Sequence, residues 1–170
     1  MSTRTLARAG LMTAVVFVIT RAFVLPIPQT KGFFNLGEAG IYLAALAFGP
    51  VVGALSGGVG SALADLSLGY TQYAPFTLII KGAEGALVAV AAARFWSGAG
   101  GTARVAARMA ALGLGGLVMV TGYFLAQAFA LGLGTLPALA EVPYNVVQVV
   151  VGMAVGLTAT TALERAVPRV

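Results

Sequence analysis

Residues 37–68 read GEAGIYLAALAFGPVVGALSGGVGSALADLSL, two apolar runs separated by Gly49 and Pro50. The first run predicts a short helix that begins near Gly37, and the second predicts a longer helix over 51–68. Glycines recur in the second run at a spacing that lets helix backbones approach closely inside a membrane. Because the stretch offers water almost no polar surface, it predicts helices packed in a lipid bilayer.

The rest of the chain is similarly rich in apolar residues and poor in charged ones. Of its 170 residues, 59% are hydrophobic and 9% are charged, whereas a soluble domain carries about 25% charged residues. Further apolar runs predict helices over about 6–24, 75–95, 105–131 and 141–163, joined by loops at 25–36, 69–74, 97–102 and 132–139. At about 20 residues per membrane span, the sequence predicts an all-α membrane protein: a compact bundle of six transmembrane helices forming one domain over 1–170.

The basic residues predict the orientation of the bundle. Two of them, Arg21 and Lys31, fall near one face. Seven fall on the side of the two termini, and these are Arg4, Arg8, Arg94, Arg104, Arg108, Arg165 and Arg169. Cytoplasmic segments carry the excess of basic residues, so we expect both termini in the cytoplasm and a multi-pass protein of a prokaryotic plasma membrane. The net charge of +5 is then a topology signal and predicts no nucleic-acid partner.

Several classes of chemistry are excluded by missing residue types. The chain has no Cys and no His, which excludes disulfides, thiolate nucleophiles, the common zinc sites and imidazole bases. It also lacks a Gly-rich phosphate loop that ends in Lys-Ser or Lys-Thr, so it has no such ATPase site of its own. No cofactor and no metal are expected.

Polar side chains form stripes on three of the predicted helices, all in the half away from the termini. An ionisable group there costs about 2.5–3.5 kcal/mol on insertion scales, so it needs a partner or a use. Residues three, four or seven positions apart share one helix face. The stripes are Glu141, Asn145 and Gln148 on the sixth span, Thr77, Lys81 and Glu84 on the fourth, and Tyr123 and Gln127 on the fifth. They predict a shared, water-accessible cavity that opens outward.

Structural roles are also compatible with some of these residues. Lys81 and Glu84 can form an ion pair that joins helices, Asp65 can pair with Lys81 or cap the third helix, and Gln127 can link helices. Aromatic residues in the two outward loops fit either an interfacial belt or a cover over the cavity, and these are Phe33, Phe34, Tyr70 and Tyr73. The sequence is compatible with a structural role and with a binding role for each of these residues.

An ordered set of motifs over nearly the whole chain resembles the substrate-binding S components of energy-coupling factor (ECF) vitamin transporters. The set comprises GFFNLGE at 32–38, LAFGPVVG at 46–53, GGVGSALAD at 57–65, Pro75, Lys81-Gly82, Glu84-Gly85, EVPYNVVQ at 141–148 and Gly152. The resemblance implies six helices and a vitamin or vitamin precursor bound on the outer side. It also implies partners, namely a transmembrane T component and two cytoplasmic ATPase subunits that supply energy.

The resemblance further implies functional positions. The substrate-binding positions it implies are Asn35, Lys81, Glu84, Tyr123, Gln127, Asn145 and Gln148, with Phe33, Phe34, Tyr70, Tyr73, Glu141 and Tyr144 as additional candidates. Family members often carry Ala-x-x-x-Ala on the first helix, where it contacts the T component. Here the nearest spacing is Gly10 to Ala14, so docking is expected there, although this short face also fits packing within the chain.

Two other functions compete with substrate capture. A small intramembrane enzyme would use paired carboxylates such as Glu38 and Asp65, but it would lack His, Cys and a metal-spaced acidic motif. An ion or proton channel is disfavoured because the charged residues stop in the outer half, above a Gly- and Val-rich inner half. The ligand itself is not specified by the sequence. Related S components take flavin, pyridoxine, pyrimidine, cobalamin or lipoate-like compounds, and a flat heteroaromatic vitamin fits best.

Overall fold

A computed structural model describes residues 1–95 and 101–167 of the chain. Most of the predicted turn at 97–102 lies outside the described residues, as does Arg169. The described part forms six helices: α1 Thr3–Ala22, α2 Gly37–Phe48, α3 Pro50–Leu68, α4 Ala74–Phe95, α5 Thr102–Ala130 and α6 Thr135–Ala166. Helix α3 contains a π-helical turn at Ser56–Gly60, and α5 ends in another at Ala126–Ala130. The predicted all-α class and six helices are confirmed.

Five of the six helices are long and apolar enough to cross a membrane, while α2 has 12 residues. At about 1.5 Å per residue, a helix of that length covers little more than half of a bilayer core about 30 Å thick. Non-helical backbone at membrane depth is tolerated where protein surrounds it. The segment before α2 therefore matters for how this part of the bundle is closed.

That segment is an antiparallel hairpin, whereas the sequence predicts a loop there. Strand β1 covers Leu25–Ile27 and strand β2 covers Gly32–Phe34, with Leu25 opposite Phe34 and Ile27 opposite Gly32. The two prolines lie at β1 and just after it, and Lys31 adopts a positive φ of 53° in the turn. We call residues 25–34 the hairpin.

Helix α6 begins at Thr135, six residues before the predicted start at Glu141, so the predicted 132–139 loop is wrong over its second half. Pro137 falls in the first turn, where a backbone N–H has no helical partner to lose. The helix also continues through Pro143. Ala138 is fully buried, which shows that this added turn packs inside the bundle.

The helices pack closely where glycines meet, as the sequence pattern predicts. A Cβ added to Gly53 of α3 would lie 2.6 Å from the Gly85 carbonyl oxygen of α4, and one on Gly152 of α6 would collide with Glu38 of α2. The core between them contains Val16, Ile41, Tyr42, Val88 and Leu112. Large apolar side chains cover the outside, Ile79 and Phe129 among them, as expected for a lipid-facing surface.

The two ends of the bundle are formed by different segments of the chain. One end collects the hairpin, the α3–α4 connection and the start of α6, and we call it the hairpin end. The other collects the α2–α3 turn, the start of α5 and the end of α6, and we call it the terminal end.

Candidate functional site

The polar stripes of α4, α5 and α6 meet beneath the hairpin, around a cavity of about 30 Å³. Five residues that the resemblance implied for binding line this cavity, namely Asn35, Lys81, Tyr123, Asn145 and Gln148. Phe33, Tyr73 and Glu141 line it as well. The convergence of three helices on one cavity is the arrangement that the spacing predicts.

The floor of the site is an ion cluster that we call the buried triad: Glu38, Lys81 and Glu84. The Lys81 ammonium contacts the Glu38 carboxylate and lies 3.6 Å from Glu84 Oε2. The Tyr42 hydroxyl donates to Glu84 Oε1 at 2.9 Å, and all three charged side chains are at most 4% exposed. Two carboxylates therefore share one ammonium, and the pairing of Lys81 with Glu84 that was left open is present.

Asp65 does not join this triad. The structure gives it no ion pair among the described residues, and its Oδ2 has no hydrogen bond there either, although the side chain is 4% exposed and lines the cavity. Its backbone carbonyl accepts from Tyr70 N–H at 2.9 Å beyond the end of α3, so the helix cap involves its backbone. The carboxylate lines the cavity beside Thr77.

Gln148 connects three elements around the cavity. Its Oε1 accepts from the Asn35 backbone N–H at 2.9 Å, and its Nε2 donates to Glu38 Oε1 at 3.0 Å. Asn35 in turn accepts from the Gly37 N–H at 2.8 Å through Oδ1, which stabilises the start of α2. Both side chains thus have structural partners already, while Asn145 on the same stripe of α6 also lines the cavity.

Three contacts hold the hairpin over the cavity. The Thr30 hydroxyl donates to the Glu141 carboxylate, the Tyr73 hydroxyl donates to the Thr30 carbonyl at 2.6 Å, and the rings of Phe33 and Tyr70 are 4.6 Å apart. We call these the closing contacts. Burial raises the pKa of Tyr73 to about 12, so its hydroxyl keeps the proton that it donates across the physiological pH range.

Tyr123 and Lys81 meet on the opposite wall. The Tyr123 hydroxyl lies 2.9 Å from the Thr77 hydroxyl, and its ring centroid is 5.5 Å from the Lys81 ammonium. A cation at this distance from an aromatic face is attracted to it. Thr77 of α4 and Tyr123 of α5 therefore connect the polar stripes of these two helices at the level of the cavity.

Some predicted positions lie off the cavity lining. Glu84 lies beneath it in the triad, and Tyr70 touches it only through Phe33. Gln127 is fully buried and approaches Glu141 and Tyr73, but neither amide atom has a hydrogen bond of good geometry within the described chain. Phe34 and Tyr144 border a separate apolar groove between the hairpin and α6. Tyr144 is 46% exposed, so the structure does not bring it into the site.

The lining also contains residues that the sequence analysis did not select, namely Thr20, Gly32, Ser61 and Met119. Thr30, which makes two of the closing contacts, was missed as well. These are short or apolar side chains without a striped pattern.

Gly10 and Ala14 lie on an open groove of about 640 Å³ between α1 and α3, whose lining shares no residue with the cavity. Both are exposed, and a Cβ on Gly10 would meet no atom within 4 Å. The packing of α1 within the bundle instead uses Ala9, Met12 and Val16. Packing within the chain is therefore not the role of the Gly10 and Ala14 face.

Comparison with known proteins identifies the family. The model of the "ECF-type riboflavin transporter, S component" family matches residues 1–165. The chain belongs to this family. The predicted resemblance is thus confirmed, and this S component is an integral membrane protein and part of a vitamin-uptake system. Because the family consists of transporters, the alternative of an enzyme based on Glu38 and Asp65 is wrong.

Relatives of this S component cover most of its length. It is 33% identical over 157 residues to "Thiamine precursor transporter HmpT" of Lactococcus lactis subsp. cremoris (strain MG1363), spanning 92% of this chain and 85% of the relative. It is 42% identical over 141 residues to an uncharacterized protein of Pyrococcus woesei, spanning 83% and 88%. A solved S component of a bacterial ECF transporter has a TM-score of 0.71 at 20% identity and covers 99% of this chain, which shows the shared fold.

Proposed function

We propose that this chain is the substrate-capture subunit of an ECF-type importer and that it binds a small vitamin or vitamin precursor in the cavity under the hairpin. The observation that supports this most is the convergence of Lys81, Tyr123, Asn145 and Gln148 on one cavity. Pockets for small solutes combine apolar walls with a few converging polar groups. The family name refers to riboflavin and one relative to a thiamine precursor, so flat heteroaromatic compounds are the first candidates.

Binding requires the hairpin to move. Pockets that hold drug-sized ligands have volumes of about 300–1,000 Å³, about ten times the 30 Å³ found here or more. The closing contacts must therefore break to admit a solute and re-form over it. A small hairpin held by three side-chain contacts is easier to displace than any of the long helices that surround the cavity.

The proposed roles of individual residues follow from their present partners. Tyr123, Phe33 and Tyr73 would contact the ring of the solute, and Asn145 would bind its polar edge. Lys81 is shared between the Glu38 and Glu84 carboxylates, so Lys81 and Glu84 would shape the floor of the site. Asn35, Gln127 and Gln148 would position the hairpin and the start of α6 around the solute, and Glu141 would contact the solute from the cavity wall.

The proposal also includes the membrane arrangement. All six helices would form a single domain over residues 1–170 and cross or enter the bilayer, with the hairpin end outside and both termini in the cytoplasm. The excess of arginine at the terminal end supports this orientation.

For energy, the chain would dock on a T component that carries two cytoplasmic ATPase subunits. The exposed groove at Gly10 and Ala14 supports a docking face on α1 and α3. Small residues there would let a partner helix approach closely, which is how helices associate inside a bilayer.

Ligand binding is tested with purified protein and a broad panel of water-soluble vitamins and precursors. We expect one compound to raise the unfolding temperature and to give a one-to-one isotherm at submicromolar concentration, since a ligand that binds the folded state alone stabilises it. If no compound in the panel produced heat or a shift, the proposed function would be untenable.

Docking is tested separately with Gly10→Leu, which fills the groove, against Gly113→Leu, a matched change at an exposed glycine of α5 that also has open space around it. We expect Gly10→Leu to lose co-purification with the T component while keeping ligand affinity. Gly113→Leu should keep both. Equal co-purification of the two variants would remove the groove from the proposal.

A further inference from the structure

The acidic residues of this protein are concentrated at the site to an unusual degree. The chain has five Asp and Glu residues, and four of them, Glu38, Asp65, Glu84 and Glu141, are at most 4% exposed and lie around the cavity or beneath it. A single ammonium, that of Lys81, lies among them. Acidic side chains therefore outnumber basic ones four to one around and beneath the cavity, among the residues that the structure describes.

The one basic group is already engaged. Lys81 contacts Glu38 and approaches Glu84, and its charge also faces the Tyr123 ring. An anionic solute would have to compete with two carboxylates for this ammonium and would lie near two more. Close like charges in a poorly hydrated site repel each other strongly, so the site is unsuited to carboxylate or phosphate compounds.

Two carboxylates line the cavity outside the triad, with Thr77 beside Asp65 and with Gln127 and Asn145 beside Glu141. Asp65 lines the cavity, and its Oδ2 has no hydrogen bond among residues 1–95 and 101–167. Glu141 lines it too and accepts from Thr30 on the hairpin. A buried acceptor without a donor is costly, and a ligand with N–H groups or positive charge removes that cost.

The aromatic side chains of the lining also favour a positively charged solute. The rings of Phe33, Tyr73 and Tyr123 border the cavity. Aromatic faces attract cations, and their combination with carboxylates is a common way to bind organic cations. Both the charged and the aromatic groups of the lining thus select the same class of solute.

We propose that the solute is a compact nitrogen heterocycle that carries a positive charge or takes up a proton on binding, with Asp65 and Glu141 as the residues that hold its charged N–H edge. This inference rests on the proposed function and narrows its substrate class. It also assigns Lys81 to the neutralisation of Glu38 and Glu84, with no part in anion recognition.

The first test compares solutes that differ in charge but share a ring. Pyridoxamine, pyridoxine and 4-pyridoxic acid form one such series, and a 4-aminopyrimidine with its 4-pyrimidinone counterpart forms another. Riboflavin, biotin and pantothenate complete the panel as neutral and anionic compounds. We expect the most cationic member of a series to bind most tightly and the anions to show no binding.

The second test removes each charge without changing the shape of the side chain. Asp65→Asn and Glu141→Gln should each weaken binding of the cationic solute roughly 30-fold or more, as is typical when one partner of a buried charge pair is removed. Glu164→Gln, which removes the one carboxylate outside the site, is the control and should bind as the wild type does. Because Asp65→Asn keeps the volume of the side chain and breaks no ion pair among the described residues, the ligand-free variant should unfold at about the wild-type temperature.

The outcomes separate the two proposals. If a neutral or anionic vitamin bound most tightly at this site, or if Asp65→Asn and Glu141→Gln both kept wild-type affinity for the best ligand, the charge assignment would be overturned while the capture function stood. If nothing in the panel bound, the capture function and this inference would fall together.

Discussion

Two ion clusters of three residues lie at opposite ends of the bundle and differ in burial and in charge balance. The buried triad at the hairpin end has two carboxylates around Lys81 and is at most 4% exposed. The terminal end has the reverse ratio, since Arg104 and Arg108 share Glu164, with side chains 12–34% exposed. We call this second group the terminal triad.

The comparison shows what burial changes. At the terminal triad water and lipid headgroups can solvate an excess charge, and each ion pair there is worth about 0–1 kcal/mol. At the buried triad each charge depends on its neighbours, and removing one partner typically costs about 3–5 kcal/mol. A cluster of three ionic residues is therefore the floor of the proposed site at one end and a weak contact between α5 and α6 at the other.

The largest effect is expected from Lys81→Met. The substitution leaves the Glu38 and Glu84 carboxylates facing each other without a cation, so the variant should lose about 3–5 kcal/mol of stability, measured as a lower unfolding temperature in detergent. Lys31→Met in the exposed hairpin turn is the matched control and should unfold as the wild type does. Equal unfolding temperatures for the two variants would contradict the burial argument.

A smaller loss is expected from Thr30→Val. This change removes the donor to the buried Glu141 carboxylate, and an unsatisfied buried acceptor costs about 1–3 kcal/mol. We expect lower stability together with faster ligand dissociation, followed by stopped-flow fluorescence or surface plasmon resonance. Thr158→Val, on the exposed part of α6 where the hydroxyl only bonds to its own helix, should change neither rate nor stability.

Tyr73→Phe tests a single closing contact. The loss of its hydrogen bond to the Thr30 carbonyl should speed ligand dissociation about 2–10-fold, in line with roughly 0.5–1.5 kcal/mol for a hydrogen bond. Because the pKa of Tyr73 is about 12, the difference from wild type should be constant from about pH 6 to pH 9, well below that value. Tyr144→Phe should leave dissociation unchanged, and an equal acceleration there would rule out a specific role for Tyr73.

The smallest effect is expected from Glu164→Gln. It breaks the contacts with Arg104 at 2.6 Å and with Arg108, yet partial exposure limits the loss of stability to about 1 kcal/mol. Raising the salt concentration should reduce the difference further, because exposed pairs are screened. A loss as large as that of Lys81→Met would mean that the two triads do not differ in the way described.

The sequence predicted the features that repeat along a helix and missed those that depend on the hairpin. The stripe of Glu141, Asn145 and Gln148 was readable because its spacing alone places it on one buried face. The partnership of Glu38 with Lys81 was not, because it joins residues 43 positions apart on different helices. The hairpin was read as a loop since three-residue strands leave no periodic pattern.

The early start of α6 was missed for a related reason. Pro137 and the glycines before it indicate a loop by local preference, whereas the buried Ala138 shows that packing within the bundle extends the helix. Local signals thus predict the helix ends to within six residues. The closing contacts and the charge balance of the site depend on residues that are distant in the sequence.

The most direct test of the account places the same side chain at two adjacent positions of α6. Asn145→Leu puts an apolar group into the cavity, and Val146→Leu puts it on the exposed face, where Val146 is 45% exposed. Titration calorimetry with the ligand found in the panel should give no binding for Asn145→Leu and wild-type affinity for Val146→Leu. Wild-type binding by both variants would show that the solute does not occupy the cavity beneath the hairpin.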